Sequence, residues 1–143
     1  MRTEIRHKGF TLIEMLVVVV IIGVLGAVVG PRFFGKADQA KVAAARAQIE
    51  NFSMALNSYY LDTGYFPTTQ QGLKALVEKP TSPPVPDNWR GPYLSKMTIP
   101  SDPWNRSFVY TCPGKHHPDY DLLSYGKDGK AGGTGDDAEI TNY

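Results

Sequence analysis

The sequence predicts an α+β chain: one long N-terminal helix, membrane-inserted over its first half, laid on a small antiparallel β-sheet. Three observations carry that reading. From Phe10 to Gly30 the only polar side chains are Thr11 and Glu14. Val42, Ala45, Ile49, Phe52, Leu56 and Tyr59 then step by threes and fours, the spacing of one helix face. Finally, SFVYTC (Ser107 to Cys112) and YDLLSY (Tyr120 to Tyr125) flank PGKHHPD, two strand-like runs about a turn. The expected division is a basic leader at 1–9, an apolar helical segment at 10–35 and a globular domain at 36–143.

At 143 residues the chain has room for one modest core, and a net charge of +1 gives no bias toward nucleic acid. The charge is uneven, with Arg2, Arg6 and Lys8 ahead of the apolar run and Asp128, Asp136, Asp137 and Glu139 near the C-terminus. The single cysteine, Cys112, forbids an internal disulfide. The glycines and prolines, 14 and 11 of them, concentrate after Asp62 and predict much loop there.

As a helix the apolar run is about 30 Å long, the thickness of a bilayer's hydrocarbon core. Basic residues ahead of it match a cytoplasmic flank and place the remainder across the membrane. A secretory signal peptide would be shorter and would end in a small-residue cleavage site, whereas Gly30-Pro31-Arg32 follows here. A plain anchor fits the length but leaves Glu14 unexplained. An ionisable group in a spanning helix costs roughly 2.5–3.5 kcal/mol at its centre, and the apolar run offers Glu14 no partner. Cleavage between Gly9 and Phe10 would supply one. The new α-amine is positively charged near neutral pH, and Glu14 of one subunit can pair with the Phe10 amine of a neighbour, fixing their register. Glu14 therefore points to assembly.

At these residues the chain resembles the type IV pilins and pseudopilins, whose class III signal is G-F-T-L-I-E after a short basic leader. The resemblance implies that a prepilin peptidase cuts after Gly9 and methylates the Phe10 amine. It also implies a pilin-like fold, with the apolar helix held in membrane lipid before assembly.

Glycines at 23, 26, 30 and 35 surround Pro31, and proline inside a helix costs about 3 kcal/mol. The sequence thus predicts a break at Gly30 and Pro31, kinked or locally melted. The apolar stripe reads as a face packed on its own domain. The helix should end near Asp62 or Thr63, with Gly64 as its C-cap. Pro67 to Val77 predicts a short second helix, with Thr68 and Gln71 as a capping box. Trp89 and Trp104, among prolines, read as packing residues.

YFPTTQQGLKALV, GPYL, DPW and YDLLSYGKDG, in that order, are similar to the major pseudopilins of type II secretion systems. That resemblance implies a structural subunit without an active site. It would form a homopolymer with minor pseudopilins on an inner-membrane platform driven by an ATPase, pushing folded exoproteins through the outer membrane. The implied location is the bacterial inner membrane, single-pass, with the C-terminal domain in the periplasm. A type IV pilin for adhesion or DNA uptake is the alternative, disfavoured by the lone cysteine.

With no disulfide, something else must fasten the C-terminus. The glycine-rich run from Tyr125 to Asp137 holds carboxylates suited to calcium, which takes six to eight oxygens. It is not an EF-hand, and one G-G-x-G-x-D copy builds no calcium β-roll, Glu139 standing where an apolar residue belongs. A flexible acidic turn is the competing reading. The family resemblance implies calcium, with side-chain oxygens from Asp128, Asp136 and Asp137 and carbonyls of Tyr125, Lys130 and Thr134. His116 and His117, with Asp119 and Asp121, raise the question of zinc. Adjacent histidines on a loop diverge, so a solvated hairpin tip is preferred. No nucleophile motif or phosphate loop stands out.

Overall fold

The computed structural model describes residues 9–143, with backbone alone at 30–35 and 136. The leader's Arg2, Arg6 and Lys8 lie outside the described residues. Along the chain come helix α1 (Leu12–Thr63), a 3-10 turn (Leu73–Leu76), strands β1 (Val109–Thr111) and β2 (Asp121–Ser124), a second 3-10 turn (Gly135–Asp137) and β3 (Ile140–Thr141). Two compact units meet within α1, between Ala37 and Asp38.

Of the two forms of break expected at Gly30 and Pro31, local melting is not seen, since α1 is helical through both, and a kink is compatible with a continuous helix. Pro31 removes one donor, which the carbonyl of Ala27 would otherwise accept. Long helical flanks carry a single missing bond, because extending a helix is easier than starting one.

In the second unit the predicted stripe is the core. Ala45, Ile49, Phe52, Leu56 and Tyr59 are all buried, and Ala55 joins them. Phe52 meets Phe108 edge-on at 5.1 Å, joining helix to sheet. The helix stops where expected. Gly64 takes φ +84°, and its N–H reaches the Tyr60 carbonyl at 2.7 Å.

The capping box forms as read, with the Thr68 N–H on Gln71 Oε1 (3.0 Å) and the Gln71 N–H on Thr68 Oγ1 (3.2 Å). The helix expected from 67 to 77 does not follow. Gly72 turns to φ +60°, and only the 3-10 turn remains, burying Leu73, Ala75 and Leu76. Trp89 and Trp104 pack half-buried against the core, and Trp89 Nε1 donates to the Ala75 carbonyl at 3.0 Å.

The predicted hairpin is present but shorter, pairing Val109 with Leu123 and Thr111 with Asp121. The sequence reading missed β3, which pairs antiparallel on the other side of β2 through Leu123–Thr141 and Ser124–Ile140. Asn142 extends that edge, its Oδ1 accepting the Leu122 N–H at 2.8 Å and its Nδ2 donating to the Tyr120 carbonyl at 3.1 Å.

Candidate functional site

Gly9 and Phe10 lie exposed ahead of α1. At the helix start, the Glu14 N–H donates to Thr11 Oγ1 at 3.2 Å and the Thr11 N–H faces Glu14 Oε2 at 3.5 Å. This is a capping box, satisfying helix-end donors with local side chains. It corrects the expectation that the apolar run offers Glu14 no partner. T-x-x-E is itself the sequence signature of such a cap. Behind the cap, Leu12–Val29 has a mean hydropathy of 3.0 and no part of it is buried. By length and composition the segment can cross a membrane.

The C-terminal loop is shaped by glycine. Gly126, Gly129, Gly132 and Gly135 take φ between +64° and +81°, a backbone that L side chains rarely adopt. Asp128 Oδ1 accepts the Lys130 N–H at 3.0 Å. Glu139, set aside in the sequence reading, sends its carboxylate back to the Gly132 N–H. That bond holds the Glu139 carboxyl below its usual range, while the Asp128 charge pushes the other way. Asp137 is exposed on the 3-10 turn, and for Asp136 only the backbone is described. Among the described residues no three His, Cys, Asp or Glu side chains gather as a metal cluster. The candidate donors are all oxygens on a glycine-rich loop, a donor chemistry that fits a hard cation such as calcium.

Three residues the sequence reading missed anchor this loop. Asp102 is buried, and its Oδ1 accepts the N–H groups of Trp104 (3.0 Å) and Arg106 (2.8 Å). Ser124 donates its hydroxyl to Asp102 Oδ2 at 2.6 Å and accepts the Gly126 N–H at 3.2 Å. The Arg106 guanidinium donates to the carbonyls of Gly126 and Lys127, the latter at 2.8 Å. Lys127 reaches Asp38 of α1 at 2.8 Å. The D-P-W-N-R turn was the available signal, since Asp before Pro commonly opens a turn.

At the hairpin tip, Asp121 is spoken for. Its carboxylate accepts the N–H groups of Lys115 (2.8 Å), His116 (3.1 Å) and His117 (2.9 Å) and lies 3.0 Å from His116 Nδ1. Burial acts to raise this carboxyl, but those hydrogen bonds outweigh it and hold the pKa at about 2. The His116 ring stacks on Tyr143 at 4.5 Å, and the Asp119 N–H donates to His117 Nδ1 at 3.3 Å.

Residues 32–143 match the family described as Type II secretion system (T2SS), protein G, and residues 5–30 match the prokaryotic N-terminal methylation motif. The Pseudomonas aeruginosa protein named type II secretion system core protein G is 49% identical over 139 residues, spanning 96% of each chain. Its Escherichia coli namesake is 44% identical over 144 residues, spanning 100% of this chain and 95% of that one. Among solved structures, the major pseudopilin from the type 2 secretion system of enterohaemorrhagic Escherichia coli superimposes with a TM-score of 0.64 at 36% identity. That match covers 76% of this chain and 91% of the other.

Proposed function

The chain belongs to the type II secretion system protein G family, and on that premise we propose that it is the major structural subunit of a periplasmic pseudopilus. The precursor sits in the inner membrane, is cut between Gly9 and Phe10 by a prepilin peptidase, and is methylated at the new amine. It then polymerises with itself and with minor pseudopilins on an inner-membrane platform whose ATPase supplies the energy. Its work is mechanical, helping to drive folded exoproteins through the outer membrane.

One observation carries this reading: Leu12–Val29 is wholly uncovered in a chain whose second unit already has a filled core. So large an apolar surface requires lipid or protein against it. Lipid covers it before assembly and neighbouring copies cover it afterwards. Glu14 adds direction, because a carboxylate at the start of that surface can meet a neighbour's Phe10 amine.

Calcium belongs to the same proposal. Asp128, Asp136 and Asp137, with carbonyls of Tyr125, Lys130 and Thr134, would hold the ion, and Glu139, whose carboxylate reaches back into the loop at the Gly132 N–H, joins them. Bound there, calcium neutralises the repulsion within the loop and fastens the C-terminus without a disulfide.

The test is a strain lacking this chain, complemented in turn by the wild type and by Glu14→Ala. Secretion of its exoproteins should be lost in the deletion, restored by the wild type and not by the variant. Undiminished secretion in the deletion strain would overturn the proposal.

A further inference from the structure

We propose that Arg106 is a metal-independent latch that moulds the first half of the C-terminal loop, so that the loop is half set before any cation arrives. The inference goes beyond the calcium reading, since the contacts that carry it involve no carboxylate of the loop.

Asp102 holds both ends of the Asp102–Arg106 turn, because Asp102 Oδ1 accepts the Arg106 N–H and the Asp102 N–H returns to the Arg106 carbonyl at 2.7 Å. The backbone of Arg106 is therefore fixed before its side chain is considered. From that base the guanidinium reaches two successive carbonyls, Gly126 and Lys127. A planar fork with several donors suits that pairing, and an ammonium does not reproduce it.

The loop is cut to fit. A Cβ added at Gly129 would lie 2.6 Å from the Arg106 Cζ, and one at Gly126 would lie 2.8 Å from the Ala138 carbonyl oxygen. Both glycines also take positive φ. Ser124 ties the Gly126 N–H to Asp102 from behind, and Lys127 ties the loop to Asp38 of α1. Sheet, turn and helix thus converge on residues 126–129. None of these contacts reaches Gly133 or Gly135, which lie beyond the latch. Arg106 is accordingly a positioning residue: it sets the backbone from which Asp128 presents its carboxylate.

The test uses backbone NMR relaxation on the full mature chain in detergent micelles, with chelator and then with calcium chloride. In chelator, amides 127–129 of the wild type should already be rigid, with order parameters near about 0.85. Amides 133–137 should be looser and tighten when calcium is added. In Arg106→Lys, amides 127–129 should fall below about 0.6 in chelator. If that variant does not fold, the guanidinium protons of Arg106 in the wild type serve instead: in chelator they should be protected from exchange with water, and free exchange would overturn the latch. Mobile wild-type amides at 127–129 in chelator would overturn the latch, and so would unchanged rigidity in a folded variant. Rigid amides at 127–129 with no response to calcium at 133–137 would leave the latch standing and count against the metal reading alone.

Discussion

Replacing Glu14 by glutamine separates the two roles its carboxylate fills, capping its own helix and pairing with a neighbour. The Glu14 N–H to Thr11 Oγ1 bond, at 3.2 Å, belongs to Thr11 and survives the change. The reciprocal bond, 3.5 Å from the Thr11 N–H to Glu14 Oε2, is long, and a glutamine oxygen accepts it as well. The cap as a whole is worth about 0.5–2 kcal/mol, and glutamine should keep nearly all of it. The charge is another matter. Removing one partner of a desolvated ion pair costs about 3–5 kcal/mol, at least about a hundredfold in an association equilibrium. Glu14→Gln should therefore be cleaved, inserted and helical like the wild type, yet fail to enter fibres when it is the sole copy. Thr11→Val should show the reverse, a weakened first turn with assembly retained. The assays are N-terminal mass spectrometry, circular dichroism in micelles and electron microscopy of sheared fibres. Normal fibres from Glu14→Gln would refute the pairing and leave capping as the reason for the carboxylate.

Three further outcomes are expected. Calcium at a hundredfold excess over its Kd should stabilise the full mature chain in micelles by about 2.7 kcal/mol. Asp128→Ala and Glu139→Ala should each remove most of that gain and His117→Ala should not; a melting temperature indifferent to chelator would reject the site. Asp121 has a depressed carboxyl pKa, so its contribution to stability is complete above the unfolded value of about 3.9 and is lost as pH falls toward about 2. In acid titrations Asp121→Asn should be the less stable chain at pH 7 and converge with the wild type toward about pH 2; parallel curves would contradict this. Phe52→Ala, which empties a buried site against Phe108, should cost about 3–5 kcal/mol, whereas Asn57→Ala on the exposed face should change stability by less than about 0.5 in chemical denaturation.

What the sequence made legible was whatever repeats locally. The stripe from Val42 to Tyr59 has the helix period, so the buried face could be read residue by residue. Gly64 announced the helix end because a left-handed residue is nearly obligatory there. Thr68 and Gln71 announced a cap, but the outcome turned on Gly72, whose positive φ stops the helix before it gains a second turn. Strand β3 left no local signal, since Ile140 and Thr141 become a strand only by pairing with residues some seventeen positions earlier. The same holds at the loop. Arg106 lies about twenty residues before the carbonyls it binds, and Asp102 sits 22 before Ser124, distances at which spacing carries no information. Glu139 was discounted because a β-roll pattern wants an apolar residue there. The fold instead brings its carboxylate back to the Gly132 N–H, a contact between residues seven apart in the chain. At the N-terminus, the charge pattern drew the reading to a partner subunit and past the hydroxyl three residues away.

Trimmed and modified, this chain should be what the fibre is made of. Mass spectrometry of intact chains from fibres sheared off the native cells tests it directly. The predominant species should begin at Phe10 and carry one added methyl group on its α-amine. Fibres in which this chain is absent or scarce, or cells holding it only with its first nine residues intact, would contradict the claim.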